Sequence, residues 1–287
     1  MPLTRLALED ELGNPAAHFF KTGNIVRNKE NEKLIKLMGL MPERGNFGTK
    51  IEYDVWYDAG EGKKVHGYVY TDVMTKFVYI RPASTLLAKK ILQVASREEV
   101  TPRGEQIFED IANNSSDKYQ LRKHYKGQHD FVIFLPGGNI IEKAADWTRL
   151  ENAVKQGAYL KCHPLTSANL FATLKARFGA DRVLEKKESG HALLENASIV
   201  GTCDNSEMGL VALAKGKTVY RFGQKNANHT FTYSAFYESI WDGDNPIINR
   251  FKSILSARYA GLISYLSDTP EEDIEQFFVY FKGMPHA

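Results

Sequence analysis

A chain of 287 residues has room for one large or two modest domains, and its 43% hydrophobic share allows a sizeable core. The formal charge of +2, from 37 basic and 35 acidic residues, gives no total-charge argument for nucleic acid, since steering needs a patch rather than a sum. The two cysteines, Cys162 and Cys203, exclude a disulfide framework and fit a reducing cytoplasm; no apolar run is long enough to span a membrane, and the opening MPLTRLALEDELGN is amphipathic and acidic, unlike a signal peptide.

Residues 1–45 are mostly helical in pattern: Leu34, Leu37, Met38 and Met41 recur at helical spacing, and Pro42 with Gly45 stops them. TKIEYDVWYD (49–58) alternates, with Ile51, Tyr53, Val55 and Tyr57 on one face. After the glycine-rich AGEGKK, VHGYVYTDV (65–73) returns as the other arm of a β-hairpin. KFVYIRP (76–82) predicts a third strand. Ser84 is placed to cap the helix STLLAKKILQVAS, and GEQIFEDIANN predicts a helix after Pro102. The polar, basic SSDKYQLRKHYKGQH (115–129) reads as a linker.

DFVIFLPGGN (130–139) is a buried strand entering a glycine turn. The helix that follows, over about 142–156, buries Trp147, Leu150 and Val154 and ends at Gly157. AYLKC is the next strand. The helix after it starts near Thr166 or Ser167, buries Leu170, Phe171, Leu174 and Phe178, and stops at Gly179. RVLEK is a strand, HALLENA a short helix and SIVGT a strand. A helix from Asn205 to Lys215 stops at Gly216, and KTVYRFG closes the series. From Pro246 the tail is helical: Ile247, Phe251, Ile254, Leu255 and Tyr259 keep helical spacing, and IEQFFVYF forms a second helix.

Five strands alternating with helices between Asp130 and Gly223 predict a parallel, doubly wound, Rossmann-like sheet with both faces covered. The expected organisation is α/β throughout. A smaller α+β domain (1–125) precedes the Rossmann-like domain (126–245), and a helical tail (246–287) braces the two.

Strand ends that feed helix starts are where phosphate-bearing ligands sit in such sheets, because free N–H groups and the helix dipole point at the anion. Pro164 turns the chain sharply after AYLKC and presents His163 at a strand's carboxyl end, where an imidazole can donate to a phosphate oxygen or simply pack in the turn. Asn205, Ser206 and Glu207 open the later helix; a hydroxyl or amide there is an ordinary N-cap, or clasps the same phosphate as His163. Gly137 and Gly138 allow close backbone approach to a ligand, or only make the turn. Glu185 and Glu188 can accept the hydroxyls of a ribose, or belong to a solvated charged stretch. Arg81 precedes Pro82 and a helix start and can meet an anion; a surface arginine is the simpler expectation. Cys162, His163 and Cys203 lack the paired short spacings of a metal site.

Taken together, K-x-H-P at a strand end, an acidic loop, an apolar strand, N-S and the run GLVALAKGKTVYRFG resemble the carboxyl-terminal half of bacterial GT-B glycosyltransferases. The types it resembles are the capsule polysaccharide (Kdo) transferases and the sialyltransferases, and the similarity covers roughly Phe131–Gly223. The resemblance implies a GT-B-like fold in which His163 with Pro164 and Ser206 hold the phosphate of a nucleotide-sugar donor, and Glu185 or Glu188 its ribose. It also implies a base in the first domain, where Asp58 is the nearest match to the family's acidic motif and Asp54 and Asp72 are rivals. Asn205 replaces the first of the adjacent hydroxyl residues that the family often carries.

The function expected is therefore a metal-independent glycosyltransferase without a bound cofactor, the nucleotide-sugar being its donor substrate. The donor sits in the second domain and the acceptor in the cleft between domains. The acceptor is a glycan or a modified base in DNA, as in phage DNA glycosylation, for which RKHYKGQH and the lysines of AKKIL would meet the phosphate backbone. The alternatives are a nucleotide-sugar epimerase of the same fold and a non-catalytic nucleotide-binding protein.

Overall fold

The computed structural model describes residues 53–57, 65–74, 77–82, 84–114, 128–138, 140–164, 166–224, 233–264 and 267–284, with 53–57 and 65–73 described as backbone. The helices expected over residues 1–45, the candidate base Asp58 and most of the basic linker lie outside the described residues. Two compact units emerge. Among described residues, one comprises residues 128–233 and the other residues 53–114 with 234–284.

In the second of these units, strands β1 (Tyr53–Tyr57), β2 (Val65–Val73) and β3 (Phe77–Pro82) form an antiparallel meander. Helices α1 (Thr85–Ala95) and α2 (Pro102–Asn114) follow. Ser84 caps α1 through a hydrogen bond from the Leu87 N–H. The tail is not helical throughout. Residues Leu262–Ser264 (strand β11 in chain order) pair antiparallel with β3 and complete a four-stranded sheet of order β1-β2-β3-β11. A three-residue strand carries too short a pattern to be distinguished from the helices that flank it.

Period-2 alternation divides β3 between two environments. Val78 and Ile80 join Leu87, Ile91 and Ile263 in a core that is closed by Ile274, Phe277, Phe278 and Phe281 of the last helix. Phe77, Tyr79 and Arg81 alternate with them, and the Tyr79 ring meets Phe236 edge to face at 5.0 Å.

The other unit is built on a parallel five-stranded sheet: β4 (Phe131–Phe134), β5 (Tyr159–Lys161), β6 (Val183–Leu184), β7 (Ile199–Thr202) and β8 (Thr218–Arg221), in the order β6-β5-β4-β7-β8. Every pairing is parallel. The connecting helices are α3 (Ile141–Ala144), α4 (Trp147–Lys155), α5 (Ala168–Phe178), α6 (Gly190–Asn196) and α7 (Glu207–Ala214). On one face Ile133, Leu135 and Leu160 pack with Ile141, Leu150, Leu174 and Phe178 of α3, α4 and α5. On the other, α6 and α7 approach the sheet at Gly190, where an added Cβ would touch both Met208 and the Phe134 ring.

The chain runs from β4 outward to β6, then returns across β4 to β7 and β8. The topological switch point therefore lies between β4 and β7, and the crevice outside their carboxyl ends is where ligands bind in open α/β sheets. Helices α8 (Ser234–Ile240), α9 (Ile248–Ser256) and α10 (Pro270–Gly283), with the short hairpin β9 (Trp241–Asp242)–β10 (Asn245–Pro246), complete the unit around β3. No helix among the described residues is long and apolar enough to cross a membrane.

Candidate functional site at the carboxyl edge of the parallel sheet

Four strand ends carry the residues singled out in the sequence. In spatial order they are Glu185 after β6, His163-Pro164 after β5, Gly137-Gly138 after β4, and Asn205-Ser206-Glu207 after β7. Because all five strands are parallel, these ends share one edge. Neighbouring strands lie about 4.8 Å apart, so the β5 and β7 ends flank the β4 turn at roughly 10 Å from each other.

Each end is shaped by its own hydrogen bonds. After β5, the Thr166 N–H donates to the His163 carbonyl at 2.9 Å, and Ser167 caps α5 by accepting from the Leu170 N–H at 3.2 Å. After β4, Ile140 N–H donates to the Gly137 carbonyl at 3.1 Å. Gly138 lies against α5: a Cβ there would sit 3.1 Å from the Leu170 side chain. The glycine turn is thus packed beneath the start of α5.

After β7, Ser206 is the N-cap of α7 and its hydroxyl oxygen accepts from the Met208 N–H at 3.3 Å. A hydroxyl both accepts and donates, so capping a helix and meeting an anion are compatible roles. Asn205 Oδ1 accepts from the Tyr233 N–H at 3.5 Å, and Glu207 Oε2 accepts from the Tyr233 hydroxyl at 3.1 Å. The N-termini of α5 and α7 both open on this edge, so two positive helix ends face it.

Two residues that the sequence did not single out hold the β7 turn. Asp204 is buried, adopts φ 61° in the left-handed region, and accepts from Arg221 Nε at 3.0 Å and Nη2 at 2.5 Å. Asp tolerates this backbone region better than most residues. An added Cβ on Gly223 would overlap the Asp204 carboxylate, so a glycine is needed there. At the end of β7, the Thr202 hydroxyl is buried with no hydrogen-bond partner among the described residues.

Lysines lace the β5 side. Lys161 is buried, and its Nζ donates to the carbonyls of Cys162 at 2.8 Å and Lys186 at 3.1 Å. Lys186 Nζ in turn donates to the Thr166 carbonyl at 2.8 Å. A lysine inside the apolar run AYLKC was the available signal, since lysines are rarely buried without partners. Lys186 was hidden in the charged stretch EKKE.

Glu185 is exposed and pairs with Lys175 at 2.6 Å, while the Glu188 N–H closes a turn onto the Glu185 carbonyl at 3.1 Å. Glu185 directly follows the edge strand β6, on the far side of His163 from the switch point, whereas Glu188 lies two residues before Gly190, which packs against Phe134 of β4.

Burial pushes the Cys162 thiol up to about 11; Lys161, Lys186 and Lys175 oppose that rise and Glu185 adds to it. Burial likewise pushes up Cys203, with Asp204 and Asp146 adding to the effect. Both thiols are therefore protonated and unreactive at neutral pH. The unfolded thiol titrates near 9.0 while native Cys162 holds its proton to about 11, so the unfolded state binds fewer protons between those values. The stability linked to this group is complete below pH 9 and is lost as the pH climbs through the native value, a loss of roughly 2–3 kcal/mol. Urea unfolding measured from pH 8 to pH 11 should show this fall, and Cys162→Ala should reduce it, the remainder coming from groups such as Cys203 that are raised in the same way. Equal slopes for the two proteins would exclude Cys162 as its cause. Among the described residues, no group of three His, Cys, Asp or Glu side chains is placed to hold a metal ion.

Fold and edge together define a mixed α/β protein with a five-stranded parallel sheet and a switch-point crevice bordered by two helix starts. No protein-family model matches the chain, and no curated protein matches it in sequence. Among solved structures it is similar to KpsC of Thermosulfurimonas dismutans, beta Kdo 2,4 transferase, at 15% identity and a TM-score of 0.38 over 62% of this chain. The chain spans 64% of the length of that protein. It is also similar to the beta Kdo 2,7 transferase of KpsC from the same organism, at 16% identity and a TM-score of 0.39, covering 72% of each chain.

Proposed function

We propose that the protein is a glycosyltransferase that binds a nucleotide-activated sugar at the carboxyl edge of the parallel sheet. The observation that carries this reading is the position of His163, the Gly137-Gly138 turn and Ser206 on the adjacent strand ends β5, β4 and β7, around the switch point. On this reading the donor phosphate lies over the glycine turn. The His163 imidazole and the Ser206 hydroxyl donate to its oxygens, and the N-termini of α5 and α7 add positive potential. Lys161 and Lys186 fix the β5 turn, and the Asp204–Arg221 pair fixes the β7 turn. Glu185 or Glu188 is assigned to the donor ribose.

In the transfer, the bond from the anomeric carbon to the phosphate oxygen breaks and the acceptor oxygen bonds to that carbon. The acceptor's proton passes to a carboxylate, for which Asp58 is the candidate, and the negative charge stays on the departing nucleotide. Donors aimed at that charge stabilise the transition state without a metal ion. The acceptor assigned is a glycan hydroxyl, and the protein is placed in the cytoplasm.

A thermal-shift panel of CMP, UDP, GDP and ADP tests this reading, because a ligand that binds only the native state raises its stability in proportion to RT ln(1 + [L]/Kd). One nucleotide should raise the Tm of the wild type. His163→Ala and Ser206→Ala should each weaken that nucleotide by about 10- to 150-fold, the equivalent of one charge-assisted hydrogen bond of roughly 1.5–3 kcal/mol. The same nucleotide's sugar derivative should be slowly hydrolysed without acceptor. The proposal fails if no nucleotide shifts the Tm, or if both variants respond as the wild type does. Conversion of the sugar nucleotide to an isomer would identify an epimerase instead.

A further inference from the structure

We propose that Arg81 and the N-terminus of α1 form an oxyanion-binding site, for a carboxylate or phosphate group, in the unit built on β3. It is separate from the edge of the parallel sheet and does not depend on the function proposed for that edge.

Arg81 holds a charge in an unfavourable place. Arg81 is next to last in β3, before Pro82 and opposite Tyr68 on β2, and the residue is 1% exposed. A buried guanidinium is normally matched by a carboxylate, because removing an ion from water without a counter-charge is among the costliest forms of burial. Among the described residues Arg81 has no such match. Its Nη2 donates to the Thr85 hydroxyl at 3.2 Å, and its Nε has no acceptor.

The partner's position sharpens the point. Thr85 is the first residue of α1, so the guanidinium sits at the helix end that already carries partial positive charge. The first turn of α1 contains no acidic residue. The Ser84 side chain satisfies the Leu87 N–H, whereas Thr85 and Leu86 have no acceptor within the helix, by the geometry of a first turn. An oxyanion bound at the helix start would accept from the first-turn amides, complement the helix dipole and offset the charge of the guanidinium, which reaches Thr85 at 3.2 Å. Ser84 and Leu86 are exposed, so the helix start is reached from solvent. The geometry meets the general design of anion sites at helix N-termini, with a guanidinium added.

Saturable stabilisation by a simple anion tests the proposal. The Tm is followed on titrating inorganic phosphate, and separately acetate, into the protein at ionic strength held constant with chloride. The wild type should show a saturable rise of about 5 °C at phosphate a hundredfold above its Kd. A saturable rise in acetate as well assigns a carboxylate-bearing ligand; a rise in phosphate alone assigns a phosphate. Arg81→Met should lose the response and, in chloride, be at least as stable as the wild type, since it removes an unpaired buried charge. Thr85→Glu supplies a tethered carboxylate, so it should be stabilised in chloride and also lose the response. It keeps the test decisive if Arg81→Met does not fold.

Phosphate bound at the edge of the parallel sheet should be lost in His163→Ala and Ser206→Ala and kept in Arg81→Met, whereas the response assigned here, to acetate as to phosphate, shows the reverse pattern, which separates the two sites. The proposal is overturned if the wild-type rise does not saturate, as expected of a salt that acts only by exclusion from the surface. It is also overturned if Arg81→Met responds like the wild type.

Discussion

Asp273→Ala is expected to destabilise the unit around β3 by about 3–5 kcal/mol, the cost of removing one partner of a buried ion pair. Asp273 is fully buried in the first turn of α10, and it ties that turn to the distant Arg103 and to Arg258 and Ser267 just upstream. Arg103 at the start of α2 donates to both carboxylate oxygens, at 2.9 and 2.8 Å. Arg258 donates to Oδ1 at 2.9 Å and the Ser267 hydroxyl to Oδ2 at 3.1 Å. The substitution leaves the Arg103 guanidinium facing an uncharged side chain, while the more exposed Arg258 keeps Glu272 at 3.1 Å, and it removes an acidic residue from the helix end that favours one. Asp273→Asn keeps one oxygen as acceptor and should fall between the two. Urea denaturation measures both, and a loss below about 1 kcal/mol for the alanine variant would show that the pairs merely offset their desolvation.

Asp204→Ala should have the second-largest effect, and it should act on stability and ligand binding together. It breaks the two hydrogen bonds with Arg221, whose side chain is only a quarter exposed, and it places alanine at φ 61°. Allowing for that exposure, the expected cost is about 2–4 kcal/mol. The next two residues are Asn205 and Ser206, so the turn that presents them to the crevice loses its anchor. The nucleotide response should fall at least as far as in Ser206→Ala. Asp204→Asn retains a residue that accepts the left-handed backbone, so it should lose the charge pair but keep more of the turn. Chemical denaturation and the nucleotide panel, run on both variants, check this. Unchanged nucleotide binding in Asp204→Ala would mean that the turn is held by other contacts.

The parallel sheet was legible because most of its strands are apolar runs bounded by turn residues, and α4, α5, α6 and α7 each start with a capping residue. Ser167 and Ser206 cap the helices expected to start there, and Gly179 and Gly216 follow their ends. What escaped is what depends on partners far along the chain. Asp204 gains its meaning from Arg221 and Gly223, which lie one helix and one strand later. Lys161 can be buried because carbonyls of the following residue and of the β6–α6 loop receive its ammonium. Arg81 was expected at the surface, as arginines usually are, and only the packing of Tyr79, Phe236 and α1 around its strand shows otherwise. The strand Leu262–Ser264 was hidden for a different reason: three residues have almost no period to read.

That short strand also sets an order on synthesis. Ile263 pairs with Val78 from far along the chain, so the antiparallel sheet stays open at β3 until that later segment has been translated. All five parallel strands, by contrast, are encoded between residues 131 and 221, and they emerge from the ribosome before that closing segment does. A nascent chain therefore holds β3, with its unpaired backbone edge, waiting in the cell while the parallel sheet already has every strand it needs.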